Sequence, residues 1–252
     1  SPSRALLRGA GGQKPSVTAL CPLHSHRSTF PQVKPRSTAG VLMAEAGSTV
    51  IDRNGYLDVR SRSAATFDLD ARLPGQVFKE GAEDSLFCEF DAVLTPEFWS
   101  ALCTMARWHG DRHVELLVLE PDCDAFYLPE YRMYPALSLS VEADVDDYWA
   151  AIGHEPDGDI MGSIAISANV IAVTGPSGRW GCWGERDPEV AVFRGFPNVA
   201  ARNKWRAQFG PFLEVSGVLE SYLPLTFAGR TVPDEYAATL TANYGPPSGR
   251  RP

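Results

Sequence analysis

The chain has 252 residues, 44% of them hydrophobic, and a formal net charge of −8. This length accommodates one large domain, or one domain with appendages. The negative charge argues against binding to nucleic acid or to an anionic membrane, because both need a basic protein surface. We therefore predict that neither is a partner of this protein.

The charge is distributed unevenly along the chain. Residues 1–42 contain six basic residues and no acidic one. Removing those six from the 23 Lys and Arg leaves 17 basic against 31 acidic residues, so residues 43–252 carry −14. The six basic residues are Arg4, Arg8, Lys14, Arg27, Lys34 and Arg36.

Residues 1–42 are also rich in Ser, Pro and Gly, without a clear apolar period. Such a composition is typical of an organellar transit peptide or of a disordered arm. A third interpretation is upstream sequence that precedes a start at Met43, where the composition changes. In each case we predict that residues 1–42 are a disordered or non-native extension. We predict that residues 43–244 form a single domain and that residues 245–252 are a disordered tail.

Two features favour a cytoplasmic protein. The sequence has no apolar run near the ~18 residues of a transmembrane helix and no secretory apolar region at its front. Its five cysteines are odd in number and widely spaced, with no CxxC, which is typical of a reduced protein. They are Cys21, Cys88, Cys103, Cys123 and Cys182.

The first elements of the domain are short. Asn54-Gly55, between two β-forming runs, predicts a small hairpin over 48–59, and residues 76–78 predict a short strand. Residues 86–90 form the next predicted strand. A helix over 95–109 begins at Thr95 as N-cap, with proline at its first position, and ends at Gly110.

A second group of elements follows that helix. Residues 114–119 are nearly all apolar and predict a central, buried strand. Residues 135–141 alternate as a strand does. A helix over 144–153 begins at Asp144 and places Val145, Tyr148, Trp149 and Ile152 on one face.

The stretch 160–196 predicts a three-strand meander. Apolar residues alternate from Ile164 to Ala172, and Gly175-Pro-Ser-Gly178 supplies a turn. Helices near 199–222, split between 209 and 212, and near 234–243 complete the domain. The predicted fold class is α+β, a single domain with a mixed or antiparallel sheet packed by helices near 95–109, 144–153, 199–222 and 234–243.

An acidic run lies at the start of the 144–153 helix and comprises Glu142, Asp144, Asp146 and Asp147. One interpretation is a solvated face that stabilises the positive end of the helix dipole. The other is a docking surface for a basic partner, because clustered like charge steers association. Trp180 and Trp183 are a further candidate binding site, because their spacing places them on opposite faces of a regular strand. One is then core, and the other would anchor a protein or ligand if it is exposed, with core packing as the alternative.

Other clusters are candidates for a catalytic or metal site, but the sequence supports each of them only weakly. His109 and His113 have a metal-ligand spacing, but Gly110 separates them onto different elements. The loops 120–124 and 154–159 hold paired carboxylates that suit acid–base chemistry or a hard cation only if they converge in space. Each cysteine could be a nucleophile, but none has a recognisable nucleophile context. Gly175 to Gly178 lacks the length and lysine of a phosphate-binding loop.

With no catalytic motif in an acidic, aromatic-bearing α+β body, we predict a protein-binding module without cofactor or metal. It would dock onto a basic protein partner, as bacterial immunity proteins do. The alternative is a hydrolase or transferase with a carboxylate/His site on the 120–124 and 154–159 loops. An exposed apolar–acidic patch would favour the binding module, and a deep pocket with converging carboxylates and His would favour the enzyme.

Overall fold

The computed structural model describes residues 51–80 and 84–246. The predictions for residues 1–42 and for the tail from 247 concern residues outside these ranges and stay predictions. The described residues form helices around a six-stranded antiparallel sheet, which confirms the predicted α+β fold.

The order of strands in the sheet is β1-β6-β5-β4-β2-β3. The three consecutive strands β4, β5 and β6 form its centre, while β1 and β3 lie at its two edges. The strands are β1 (Leu86–Cys88), β2 (His113–Glu120), β3 (Ala136–Ser140), β4 (Val170–Thr174), β5 (Gly181–Glu185) and β6 (Val190–Arg194).

Helices cover both faces of this sheet. The α-helices of the described residues are α1 (Arg53–Thr66), α2 (Phe90–Val93), α3 (Trp99–Trp108), α4 (Leu128–Tyr131), α5 (Val145–Ile152), α6 (Ile164–Ser167), α7 (Val199–Phe209), α8 (Val215–Glu220), α9 (Leu223–Thr226) and α10 (Asp234–Tyr244). Helices α3 and α5 share one core cluster with Leu116 and Ile171, whereas α8 and α10 share another with Ala172 and Trp183.

Alternate residues of each strand therefore enter opposite cores. Leu116 belongs to the α3 side, and its neighbour Leu117 packs in a third cluster with Tyr56 and Val59 of α1. Every residue of β4, β5 and β6 is buried. This explains the nearly continuous apolar sequence of the central strands and confirms that 114–119 is a buried strand.

Helix α1 replaces the predicted hairpin at 48–59, of which residues 51–59 are described. The Asp52 side chain accepts a hydrogen bond from the Gly55 amide at 2.8 Å and so caps the helix. Asn54-Gly55 lies in the first turn, where backbone N–H groups have no intrahelical acceptor. Tyr56, Val59 and Ser63 then lie on the buried face. The hairpin prediction was wrong because the cap at Asp52 outweighs the turn signal.

The meander is confirmed from Val170 to Arg194, but the predicted first strand began too early, at Ile164 instead of Val170. Residues 160–162 form a 3₁₀ turn, and α6 follows. The Ser167 hydroxyl donates to the Ser163 carbonyl at 2.7 Å within that helical turn. Ile166 is 47% exposed, so the apolar alternation there does not reflect a strand with one buried face.

The other predicted elements agree with the structure, with local corrections. The 95–109 helix comprises a 3₁₀ turn (Pro96–Phe98) and α3. Thr95 does not cap it, because its hydroxyl donates to the Ala92 carbonyl at 2.9 Å. The predicted strand at 76–78 is reduced to an isolated bridge between Phe67 and Phe78. Helices α5, α7, α8 and α10 lie where the sequence predicts them.

An ion pair between a partly exposed arginine and a buried carboxylate joins α1 to the sheet. The Arg62 guanidinium donates to both oxygens of Glu115 at 2.7 Å, and the Glu115 side chain is only 2% exposed. A bidentate pair of this kind has fixed geometry as well as charge complementarity. It is a polar contact between α1 and β2.

We predict that Arg62→Leu lowers the free energy of unfolding by about 2–3 kcal/mol, because Glu115 would remain buried without its partner. The double variant Arg62→Leu/Glu115→Leu should recover most of that loss, since neither charge is then buried. Urea denaturation measures both. A double variant as unstable as the single one would contradict the assignment.

A second buried carboxylate, Glu185, ends β5. Its Oε1 accepts hydrogen bonds from the Leu73 amide at 2.7 Å and from the Trp183 indole at 2.8 Å. Burial nevertheless raises the pKa of Glu185 above its ordinary value, because the charged form is poorly solvated. The folded protein therefore binds this proton more tightly than the unfolded chain does.

The sign of the resulting pH dependence follows from linkage. The pKa of Glu185 is higher in the folded protein than in the unfolded chain. Glu185 therefore lowers the free energy of unfolding as the pH rises above 4.5, the ordinary pKa of this group. The substitution Glu185→Gln would keep the accepting oxygen and lose the titration. We expect it to flatten the fall of unfolding free energy from pH 4.5 towards neutrality, measured by urea denaturation. Glu220→Gln, at an exposed carboxylate, should leave the wild-type slope, and an unchanged slope in Glu185→Gln would contradict the prediction.

Candidate functional site

Helix α5 is held firmly against the body of the protein. The Tyr148 ring is fully buried and stacks on Trp99 with 5.0 Å between ring centroids. Its hydroxyl donates to the Val93 carbonyl at 2.7 Å, and the Trp99 indole donates to the Ala143 carbonyl at 2.8 Å. The helix therefore presents its outer face in a fixed orientation.

The start of α5 is a capping box. Asp144 accepts a hydrogen bond from the Asp147 amide at 2.9 Å, and the Asp147 carboxylate accepts one from the Asp144 amide at 3.1 Å. The N-cap prediction for Asp144 is confirmed. Because their oxygens serve the helix terminus, these two residues have a structural role whatever else they do.

The outer face of α5 combines exposed apolar and acidic side chains. Val145 is 41% exposed and Trp149, one turn later, is 48% exposed. The sequence placed both on the buried face with Tyr148 and Ile152, which was wrong. The helix has two adjacent apolar stripes, and only the stripe that contains Tyr148 and Ile152 is buried. We call the α5 surface the set of exposed residues Glu142, Asp144, Val145, Asp146, Asp147 and Trp149.

The tryptophan pair at β5 does not contribute to any surface. Trp180 is 1% exposed and Trp183 is fully buried. They lie in the cores on opposite sides of the sheet, as their spacing predicted. One tryptophan is core as expected, but the other is core too, so a surface anchor at this pair is wrong. The exposed tryptophan is Trp149.

One aspartate of each carboxylate loop accepts local backbone hydrogen bonds. Asp122 accepts hydrogen bonds from the amides of Asp124 and Ala125 at 2.9 Å, and Asp159 accepts one from Met161 at 2.9 Å. Within residues 51–80 and 84–246, no three His, Cys, Asp or Glu side chains are grouped to hold a metal ion. These carboxylates begin short helical turns.

The two histidines lie on different elements, as predicted. His109 ends α3 and exposed His113 begins β2. The His109 Nε2 atom lies 2.6 Å from the Gly195 carbonyl oxygen. Because a carbonyl only accepts, the Nε2 N–H is the donor in this hydrogen bond.

A cleft of about 720 Å³ lies beside His109. The residues of interest in its wall are Glu80, Trp108, His109, Ser177, Arg179 and Phe196, which define the His109 cleft. They come from four separate segments: the chain before β1, the end of α3, the β4–β5 turn and the chain after β6. Sequence spacing carries no signal for this convergence, and neither carboxylate loop lines the cleft.

The four cysteines in the described part of the chain are free and buried. Burial raises the pKa of Cys103 to about 11 and raises those of Cys88, Cys123 and Cys182 as well. A thiol that stays protonated is a poor nucleophile. The arrangement therefore favours core packing over covalent catalysis at these cysteines.

No family model, curated protein or solved structure matches this chain. Among the described helices, none has both the length and the apolar character to cross a membrane.

We predict that Cys88, Cys103, Cys123 and Cys182 resist alkylation by iodoacetamide at about pH 8 in the folded protein and react once it is denatured. Burial and the raised thiol pKa values are the reason. Mass spectrometry of a Cys21→Ser variant counts the modified sites. Rapid labelling of any of the four before unfolding would contradict their assignment as core residues.

Proposed function

We propose that this protein is a protein-binding module that docks through the α5 surface onto a basic partner. The observation that carries the proposal is the half-exposed indole of Trp149 on a rigid helix, within an acidic surface. Exposed tryptophans are enriched among residues that dominate interface energies. A cytoplasmic location belongs to this proposal, and the free, buried cysteines support it.

The geometry suits recognition without rearrangement. Tyr148 and the capping box fix α5 in place, so binding would order few additional side chains. Preorganisation of this kind lowers the entropic cost of association. Val145 and Trp149 supply the apolar centre and the carboxylates supply the rim, the arrangement found in protein interfaces.

The charges indicate the chemistry of the partner. Glu142 has a single ion pair, with Arg107 at 3.7 Å, and both side chains are largely exposed, so this pair contributes little. No ion pair engages Asp146 among the described residues. A surface with this excess of negative charge attracts lysine and arginine and accelerates encounter with a basic protein.

The alternative of a hydrolase or transferase at the 120–124 and 154–159 loops has less support. That hypothesis required the loops to converge on a metal or substrate. Asp122 and Asp159 instead accept backbone hydrogen bonds, and the described residues hold no metal-binding group.

The test is a quantitative affinity capture from native lysate, followed by calorimetry with the captured partner. The key variant is Trp149→Ala, which keeps a good helix former and removes the apolar anchor. We expect it to weaken binding by about 2 kcal/mol, roughly 30-fold. Glu142→Gln/Asp146→Asn spares the capping box and should weaken the complex mainly by slowing association, with a smaller salt dependence.

Glu220→Gln/Glu235→Gln removes two exposed helical carboxylates outside α5 and is the matched charge control. It should bind like the wild type. A partner retained in full by Trp149→Ala and by Glu142→Gln/Asp146→Asn would show that another surface binds it and would refute the proposal.

A further inference from the structure

The β4–β5 turn, which contributes Ser177 to the His109 cleft, is fixed by a buried carboxylate. The buried Asp111 accepts hydrogen bonds from the Ser177 amide at 2.8 Å and the Ser177 hydroxyl at 2.7 Å. It also accepts one from the Trp180 indole at 2.9 Å. One carboxylate thus fixes the β4–β5 turn to the segment that follows α3. A Cβ atom on Gly175 would lie 2.1 Å from an Asp111 oxygen, so the turn leaves no room for a side chain at this position.

Arg179 follows directly on that turn and is exposed. Its guanidinium donates to the His109 carbonyl, a neutral acceptor. No carboxylate forms an ion pair with Arg179 in the part of the chain that the structure describes, and Glu80, elsewhere in the wall, does not pair with it. A guanidinium has five N–H donors, so one anchored bond orients the group and leaves others for a ligand.

Aromatic side chains also line the cleft. Trp108 and Phe196 are partly exposed while packing against the core, and the Phe196 ring contacts Trp205 edge-on at 5.2 Å between centroids. The volume lies within the range of small-molecule sites. Flat apolar rings beside an oriented guanidinium are complementary to a planar ring that carries a carboxylate.

We propose that the His109 cleft binds a small aromatic carboxylate. Its carboxylate would pair with Arg179, and its ring would lie against Trp108 and Phe196. Ser177 and His109 border the same space. None of these residues belongs to the α5 surface, so this site does not depend on the docking proposal.

The probe is 2-naphthoate, with its neutral isostere 2-naphthamide as ligand control. We would titrate each into the ¹⁵N-labelled full chain and follow amide and indole resonances. We expect saturable shifts from 2-naphthoate concentrated at Trp108, Ser177 and Arg179. The amide should bind roughly tenfold to a hundredfold more weakly, the effect of losing a charge-assisted hydrogen bond.

Arg179→Gln should weaken 2-naphthoate binding by a similar factor and leave 2-naphthamide unaffected. Arg53→Gln removes an exposed arginine at the opposite end of α1 from the cleft and should bind like the wild type. If Arg179→Gln fails to fold, the comparison of acid and amide on the wild type still decides. Absence of saturable binding, equal affinity for acid and amide, or shifts confined to other regions would overturn the proposal.

Discussion

The fold depends on the need to cover both faces of a sheet whose central strands are buried on both sides. Strands β4, β5 and β6 are buried along their whole length, so each face must meet a layer of helices. Helices α3 and α5 serve one face, and α1, α8 and α10 serve the other. Buried apolar area is the main stabilising contribution in such a sandwich. Three buried carboxylates, Glu115, Glu185 and Asp111, each accept two or more hydrogen bonds where the layers or their connections meet.

This constraint also determines what the surface can offer. A helix that packs one side against the sheet layer leaves its other side exposed to solvent. In α5 the exposed side contains Val145 and Trp149 beside the acidic run. The His109 cleft arises differently, where the ends of α3, β5 and β6 leave a gap between connections. Both sites are therefore built on well-anchored elements. They differ in chemistry, since one is an acidic convex face and the other an aromatic recess with an arginine.

The sequence predicted the elements whose signals are local and strong. The cap at Asp144, the stop at Gly110 and the apolar run of β2 all appear where expected. It failed at α1, where Asn54-Gly55 indicated a turn, and at α6, where Ile164 and Ile166 imitated a strand. It also assigned Trp149 to the core, because a short helix with four apolar residues does not reveal which stripe faces inward. The cleft was beyond prediction, because its residues converge only through tertiary packing.

The pairing of β1 with β6 has a consequence for how the protein is made. Leu86 lies opposite Phe193, although β2 to β5 are all synthesised between them. On the ribosome, the first strand emerges long before its partner and must wait with an apolar edge unpaired. Contacts this distant in sequence slow folding and prolong the exposure of apolar, aggregation-prone segments. The sheet can therefore be completed only after β6 has been synthesised, and until then β1 is open to non-native pairing.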